Sequence, residues 1–407
     1  MIPLDQHPSG RHFLQIPGPS PVPDRVLRAM SLPTIDHRGP EFGQLGLKVL
    51  AGMQQIFRTK HPVAIYPASG TGAWEAALVN TLSPGDAVLM FETGHFATLW
   101  KKLAERLGLK PEFLAVPGTD AATGLPWGWR RGVQAELIEQ RLRADAGHAI
   151  KAVCVVHNET STGVTSDIAA VRRAIDAAGH PALLLVDSIS GLACADYRHD
   201  EWGVDVTISG SQKGLMLPTG MSFTAVSEKA FAAHQHARLP RFYFDWTMMS
   251  KRAHRSFIGT IPTSVFYGLR ESIRLLEEEG LDNVIARHTR LAEATRRAVQ
   301  TWASANDGPQ FFCSNPERYS NSVTTVLMPE GRSSDPLRKT IRERFNVSLG
   351  GGLTKLSGRV FRIGHLGDLN EPMLLGTLGA VEMGLRIEGI PHGRGGVDAA
   401  MAYLVGD

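Results

Sequence analysis

Four short polar groups stand where apolar runs stop, and their types are those that chemistry on a small charged molecule needs: Ser69-Gly70-Thr71, Asn158-Glu159-Thr160, Asp187 and Ser211-Gln212-Lys213. Lys213 sits in ISGSQKGLMLPTG, a glycine-flanked stretch in which the next charged residue is Glu228. Such a lysine is either a surface loop residue or an amine in use. Desolvation and nearby positive charge enlarge its neutral, nucleophilic fraction, so an amine there can form a Schiff base with a carbonyl. Asp187 ends the run Leu183-Leu184-Leu185-Val186. A carboxylate approached by apolar residues calls for a cation, such as a protonated pyridine nitrogen, or else caps a turn. Ser69-Gly70-Thr71-Gly72 opens a helix, so its free N–H groups and hydroxyls can hold a phosphate or form a cap and tight turn. PASGTGAWEAAL lacks the third glycine of a dinucleotide-binding fingerprint, which argues against a nicotinamide dehydrogenase.

The elements that must position these groups repeat one order. An apolar run at 62–66 breaks into the glycine turn and then into a helical pattern at 73–78. Further strand-like runs lie at 87–91, 150–156, 182–186, 204–208 and 221–226, with helical patterns at 42–57, 94–107 and 167–178. Continuous apolar strands separated by helices predict an α/β fold whose large domain has a mostly parallel central sheet covered on both faces. Ligands of such sheets bind beyond the C-terminal strand ends, so parallel strands would bring all four groups to one crevice. A long helical stretch, 264–279 continued by 281–302, bridges to a smaller α+β domain with strands at 322–326 and 360–363 and a helix at 370–385. The expected organisation is an N-terminal arm 1–25, a large domain 26–280 and a small C-terminal domain 281–407. The arm carries six prolines and little periodicity, which reads as an extended segment lying on a partner subunit.

Composition narrows the classes. The chain has 407 residues, 43% hydrophobic and 20% charged, enough for one large core and a second smaller one. A net charge of +3 without a long basic run argues against nucleic acid, and the pairs Lys101-Lys102 and Arg130-Arg131 read as solvated surface. Cys154, Cys194 and Cys313 lie far apart without metal-ligand spacing, so no metal site is expected and the compartment is reducing. No apolar run approaches membrane-spanning length. A cytoplasmic protein without a membrane partner is expected.

The segments PGPSPVP (17–23), DHR (36–38), PASGTGAWEAAL (67–78), HNETSTG (157–163), LLLVDSIS (183–190), SGSQKG (209–214), GTIP (259–262), YGLRES (267–272) and GRVFRIGHLGDLN (358–370) span nearly the whole chain. In order and content the chain resembles the class V aminotransferases, specifically the alanine/serine–glyoxylate aminotransferase family. The resemblance implies pyridoxal-phosphate fold type I, pyridoxal 5'-phosphate as cofactor and a homodimer with its active site at the subunit interface. It implies that Lys213 carries the cofactor and transfers protons, and that Asp187 bonds the pyridine nitrogen. It implies further that Ser69, Gly70, Thr71 and Gln212 hold the phosphate, with Thr260 from the other subunit. Phe96 matches the aromatic residue that stacks on the ring, Thr160 the hydroxyl near the ring oxygen, and Arg362 the arginine that grips the substrate carboxylate. From its type alone Arg362 is as readily a surface residue; as a ligand, its planar fork suits a carboxylate.

The implied reaction moves the amino group of a small L-amino acid to glyoxylate or a similar 2-oxo acid, with serine the first choice and alanine or aspartate the others. The sequence departs from the family pattern at Pro21, where a polar contact at the substrate end would be lost, at Phe257, and at Ser188 and Gly191; the loop 93–96 is also unusual. A lyase acting on a small amino acid would share these residues. A cysteine desulfurase would need a mobile cysteine near the substrate, and Cys313 lies outside every matched segment. A non-catalytic relative of the fold would have no need for Lys213, Asp187 and Arg362 together.

Overall fold

The structure, a computed structural model, describes residues 10–250 and 257–406, so residues 1–9 of the expected arm lie outside the described residues. Seven strands form one sheet in the order Val63–Tyr66, Ser222–Val226, Val206–Gly210, Leu183–Asp187, Ile150–Val156, Ala87–Phe91 and Lys110–Leu114. Ser222–Val226, Val206–Gly210 and Leu183–Asp187 are buried at every position. Their side chains feed two cores by alternation. Leu184 and Val186 pack with Phe42, Val49, Phe266 and Ile273 on one face, and Leu183 and Leu185 with Trp74, Ala77 and Trp100 on the other. That two-sided burial is why these strands read as unbroken apolar runs.

All pairings in the sheet are parallel except those of Ser222–Val226, which runs antiparallel to both neighbours. The reversal follows from chain length. A parallel return needs a crossover of about a dozen residues or more, usually helical, and the segment between Gly210 and Ser222 is a run of turns.

The second sheet has the order Phe13–Gln15, Val347–Gly351, Val360–Gly364, Val323–Leu327 and Gln310–Phe311. It packs on the helices Leu281–Trp302, Ser334–Phe345 and Glu371–Ile387 through Leu291, Trp302, Leu337, Phe361 and Leu378. Its first strand corrects the expectation of an arm without an element of its own. Phe13–Gln15 pairs parallel with Val347–Leu349 of the same chain, and the Gln15 amide donates to the Gly364 carbonyl at 2.6 Å. Four of the six prolines behind the extended reading, Pro17, Pro19, Pro21 and Pro23, lie beyond this strand, and helix Asp24–Met30 follows them. A side chain at Gly364 would put its Cβ 2.2 Å from the Ile16 carbonyl oxygen, so the glycine is what lets the strap lie flat. No helix among the described residues is long and apolar enough to cross a membrane.

Candidate active site

The parallel strands Val63–Tyr66, Ile150–Val156, Leu183–Asp187 and Val206–Gly210 deliver the four polar groups to the same end of the sheet. In register, Asp187 lies beside Val156 on one neighbour and Ile208 on the other. Lys213 comes one turn after the end of the latter strand.

The Lys213 amine is buried and donates to the Pro17 carbonyl. Burial first, then the Arg362 charge, lowers its proton affinity to a pKa of about 8. Gly18, at φ +97°, makes room for it: a Cβ there would lie 2.5 Å from Lys213 Nζ. Asp187 accepts from Trp74 Nε1 at 3.0 Å and from the Ile189 N–H at 2.8 Å. Its burial nevertheless pushes the pKa up to about 7, with Lys213 among the charges that pull it down. A carboxylate enclosed in this way, with no cation among the described residues bonded to it, suits a positively charged ligand atom.

Ser69, Gly70 and Thr71 form the N-terminus of helix Gly70–Thr81, whose first N–H groups have no acceptor within the helix, and Ser69 makes no side-chain cap. A Cβ at Gly70 would lie 2.4 Å from Ile189 Cδ1, so the turn sits directly on the residue that follows the Asp187 strand. A Cβ at Gly210 would approach both Ile189 and the Gln212 amide, which places Gln212 next to the same turn. Gln212 Oε1 is buried without a partner among the described residues. An orphaned amide beside open helix N–H groups fits an anionic group such as a phosphate.

A cavity of about 310 Å³ is lined by Phe96, Thr160, Lys213 and Arg362, together with Ile16, Pro17 and Gly18 of the strap, Gly350 and Gly351, and Arg338, Leu349 and Leu353. Arg362 donates from Nε to the Gly351 carbonyl at 2.8 Å and from Nη1 to the Thr160 carbonyl at 2.9 Å. Nη2 is bonded to none of the described residues. Burial lowers the Arg362 pKa to about 10, which leaves it charged at neutral pH. The Thr160 hydroxyl donates to Ser190 Oγ at 2.7 Å. Phe96 stands in the first turn of helix His95–Arg106, with its ring centroid 6.4 Å from that of Trp74. A larger groove of about 840 Å³ is lined by Ile65, Phe231, Trp246, Phe257 and other mainly apolar residues, and holds none of these groups. Chemistry, not size, selects the smaller cavity.

Thr260 is exposed and does not line this cavity. Pro21 lines a neighbouring groove with Arg25 and Met216, and the strap residues at the cavity are Ile16, Pro17 and Gly18. Phe257 packs against Phe42 and Phe266. Ser188 and Gly191 belong to one arrangement around a buried histidine. Ser188 Oγ lies 3.3 Å from His157 Nδ1, and a Cβ at Gly191 would lie 2.5 Å from that atom. Cys313 is buried, bonded to the Asn315 carbonyl at 3.3 Å and pushed up to a pKa of about 11 by burial, so it is no mobile nucleophile.

Sequence reasoning gave no role to three contributors, although Glu159 belongs to one of the four polar groups it singled out. Trp74 fixes Asp187, Glu159 holds the start of the Phe96 helix by accepting from the Phe96 and Ala97 N–H groups at 3.3 and 3.1 Å, and Arg338 brings a second guanidinium to the cavity. The last has no local sequence signal.

The family model for aminotransferase class-V matches residues 12–354. A serine–glyoxylate aminotransferase of Methylorubrum extorquens is 46% identical over 97% of this chain and 96% of its own length. An L-aspartate–glyoxylate aminotransferase of Paracoccus denitrificans is 42% identical over 95% of each chain. Among solved structures, an alanine–glyoxylate aminotransferase from Nostoc sp. superposes with a TM-score of 0.83 at 28% identity, covering 95% of this chain and 98% of that one. The family read from the motifs is borne out: this chain belongs to the class-V aminotransferases, pyridoxal-phosphate-dependent enzymes of fold type I.

Proposed function

We propose that this protein transfers the amino group of a small L-amino acid, serine first and alanine or aspartate next, to glyoxylate or a similar 2-oxo acid. The observation that carries the reading is that Lys213 and Arg362 line one small cavity while Asp187 lies buried on the adjoining strand. Pyridoxal phosphate, when bound, supplies the aldehyde that takes up the amino group and a ring that accepts electrons from the substrate Cα. Lys213 removes the proton at Cα and returns it to the carbon on the far side of the amino nitrogen, two bonds away, a role its depressed pKa favours near neutral pH. Asp187 keeps the proton on the ring nitrogen, and in doing so its carboxylate gains the cation its burial lacks. Ser69, Gly70, Thr71 and Gln212 hold the phosphate, Phe96 stacks on the ring and Thr160 faces its oxygen. Arg362 binds the substrate carboxylate through the part of its fork that Gly351 and Thr160 leave free. A cavity of about 310 Å³ suits a substrate of few atoms.

The reading includes a cytoplasmic homodimer in which Thr260 reaches the partner's site. The exposure of Thr260 in the single chain, the apolar groove and Phe242, 86% exposed, support the dimer, and three unpaired cysteines support a reducing compartment. The deciding measurement is a matrix of amino donors against glyoxylate, pyruvate, oxaloacetate and 2-oxoglutarate. Keto acid formed only with an acceptor, and lost in Lys213→Ala together with the absorbance of lysine-bound cofactor, is the expected outcome. Keto acid or ammonia released without an acceptor would make the enzyme a lyase.

A further inference from the structure

The cavity contains one cation for which the transaminase reading has no use. Arg338 projects from helix Ser334–Phe345, and its Nε donates to the Leu349 carbonyl at 3.1 Å, which pins the guanidinium against the end of strand Val347–Gly351. Two consecutive glycines allow this. A Cβ at Gly351 would lie 2.6 Å from Arg338 Nη1 and 2.8 Å from its Cζ, and one at Gly350 would lie 3.1 Å from Arg362 Cβ and 2.7 Å from Pro17. The pair therefore lets two guanidiniums approach one space from the two sides of a strand end.

The charge balance of that space is one-sided. Among the described residues its lining holds Lys213, Arg338 and Arg362 and no carboxylate. Glu159 is committed to the N–H groups of the Phe96 helix, and the phosphate-type site at Ser69 to Thr71 does not border the cavity. A single α-carboxylate satisfies Arg362. Among the described residues Arg338 has only Asp335 as an ion-pair partner, at 3.1 Å, and that aspartate side chain is 61% exposed. Exposed pairs of this kind contribute little, so they leave the guanidinium free to take a better-placed anion.

We propose that Arg338 binds the far carboxylate of a dicarboxylic substrate such as aspartate, and so sets the range of amino donors. The choice of donor rests on the transaminase reading; the binding of a dicarboxylate does not. Aspartate gives up its amino group and leaves as oxaloacetate, while glyoxylate receives that group and leaves as glycine.

The test uses the holoenzyme, with calorimetric titration of succinate against propionate and kcat/KM for aspartate against alanine with glyoxylate as acceptor. In Arg338→Gln, succinate binding and kcat/KM for aspartate should fall by about 10- to 100-fold, the loss expected for a charged hydrogen-bonded contact, while propionate and alanine change by less than about twofold. Arg338→Lys keeps the charge and should recover part of the loss. Equal affinity of the wild type for the two acids, or a loss in Arg338→Gln shared by both, overturns the proposal. Selective, Arg338-dependent succinate binding in an enzyme that transaminates no donor would sustain it and sink the transaminase reading instead.

Discussion

Lys213 owes its chemistry to enclosure. A lysine at the ordinary value is neutral in roughly one molecule in three thousand at pH 7, whereas one at about 8 is neutral in roughly one in ten. Only the neutral amine attacks a carbonyl. In protein freed of cofactor, trapping of Lys213 by an aldehyde and borohydride should therefore accelerate as pH rises, with a midpoint near 8; a midpoint near the free-lysine value of 10.5 would contradict the buried placement. At this scale the sequence was informative because the residue types were out of place: an amine among glycines, an acid after four aliphatics. Arg338 was not legible, since a basic residue in SDPLRKTIRERF looks like any other on a solvated helix face. What distinguishes it is a bond to Leu349 across a turn and the missing Cβ of Gly351, neither of which has a local pattern.

Elements convert those residues into a site, and helix His95–Arg106 shows how. Its N-terminus has no cap from its own segment. The Glu159 carboxylate supplies one from the far side of the crevice, accepting from the Phe96 and Ala97 N–H groups and from Ser161. Gly94 is part of the device, because a Cβ there would lie 2.4 Å from Glu159 Cδ. A negative charge at a helix N-terminus is favourable, and two bonded oxygens hold the turn that carries Phe96. Glu159→Gln removes the charge and turns an NH₂ toward N–H donors, a cost of about 1–3 kcal/mol at this turn. Cofactor affinity, read by equilibrium dialysis, should weaken about tenfold or more; unchanged affinity would show that Phe96 needs no such support. This cap is invisible in sequence because its partners are more than sixty residues apart. The strands that were legible are those buried on both faces. Lys110–Leu114, at the sheet edge, has no fully buried residue, and Val347–Gly351 ends in its two glycines, so neither presents the apolar run that marks a strand.

At the scale of the molecule, the cavity exists only while the two sheets keep their relation, and Arg130 is a principal tie. It lies in the helix Gly128–Arg131 in the large-sheet part of the chain, not on the solvated surface expected of the Arg130-Arg131 pair, and donates to the Phe312 and Phe311 carbonyls at 2.6 and 3.3 Å beside the second sheet. Its Nη1 bonds Asp120 at 2.9 Å, in a pair whose side chains are 12% and 6% exposed. Burial alone would raise the Asp120 pKa, but the bonds from Thr123 and Arg130 outweigh it and hold the acid below its ordinary value. Arg130→Ala leaves that carboxylate enclosed without a cation and two carbonyls without a donor, which should cost about 3–5 kcal/mol. The sign of the pH dependence follows from the direction of the shift. An acid whose folded pKa is depressed stabilises the fold above its unfolded value, here 3.8, and loses that contribution as pH falls through the folded value. Denaturant unfolding of the wild type and Arg130→Ala should thus differ most above pH 3.8 and draw closer as pH falls through the lower folded value, with the part owed to the two carbonyls remaining. Loss of the tie should also separate the transitions of the two sheets in Arg130→Ala, whereas Arg130→Lys, which keeps charge but not the fork, should fall between. A single transition at wild-type midpoint in Arg130→Ala would mean that the remaining links, among them Arg362 to Thr160, Lys355 to Glu92, Arg359 to Thr123 and Asn158 to Ser322, hold the cavity closed.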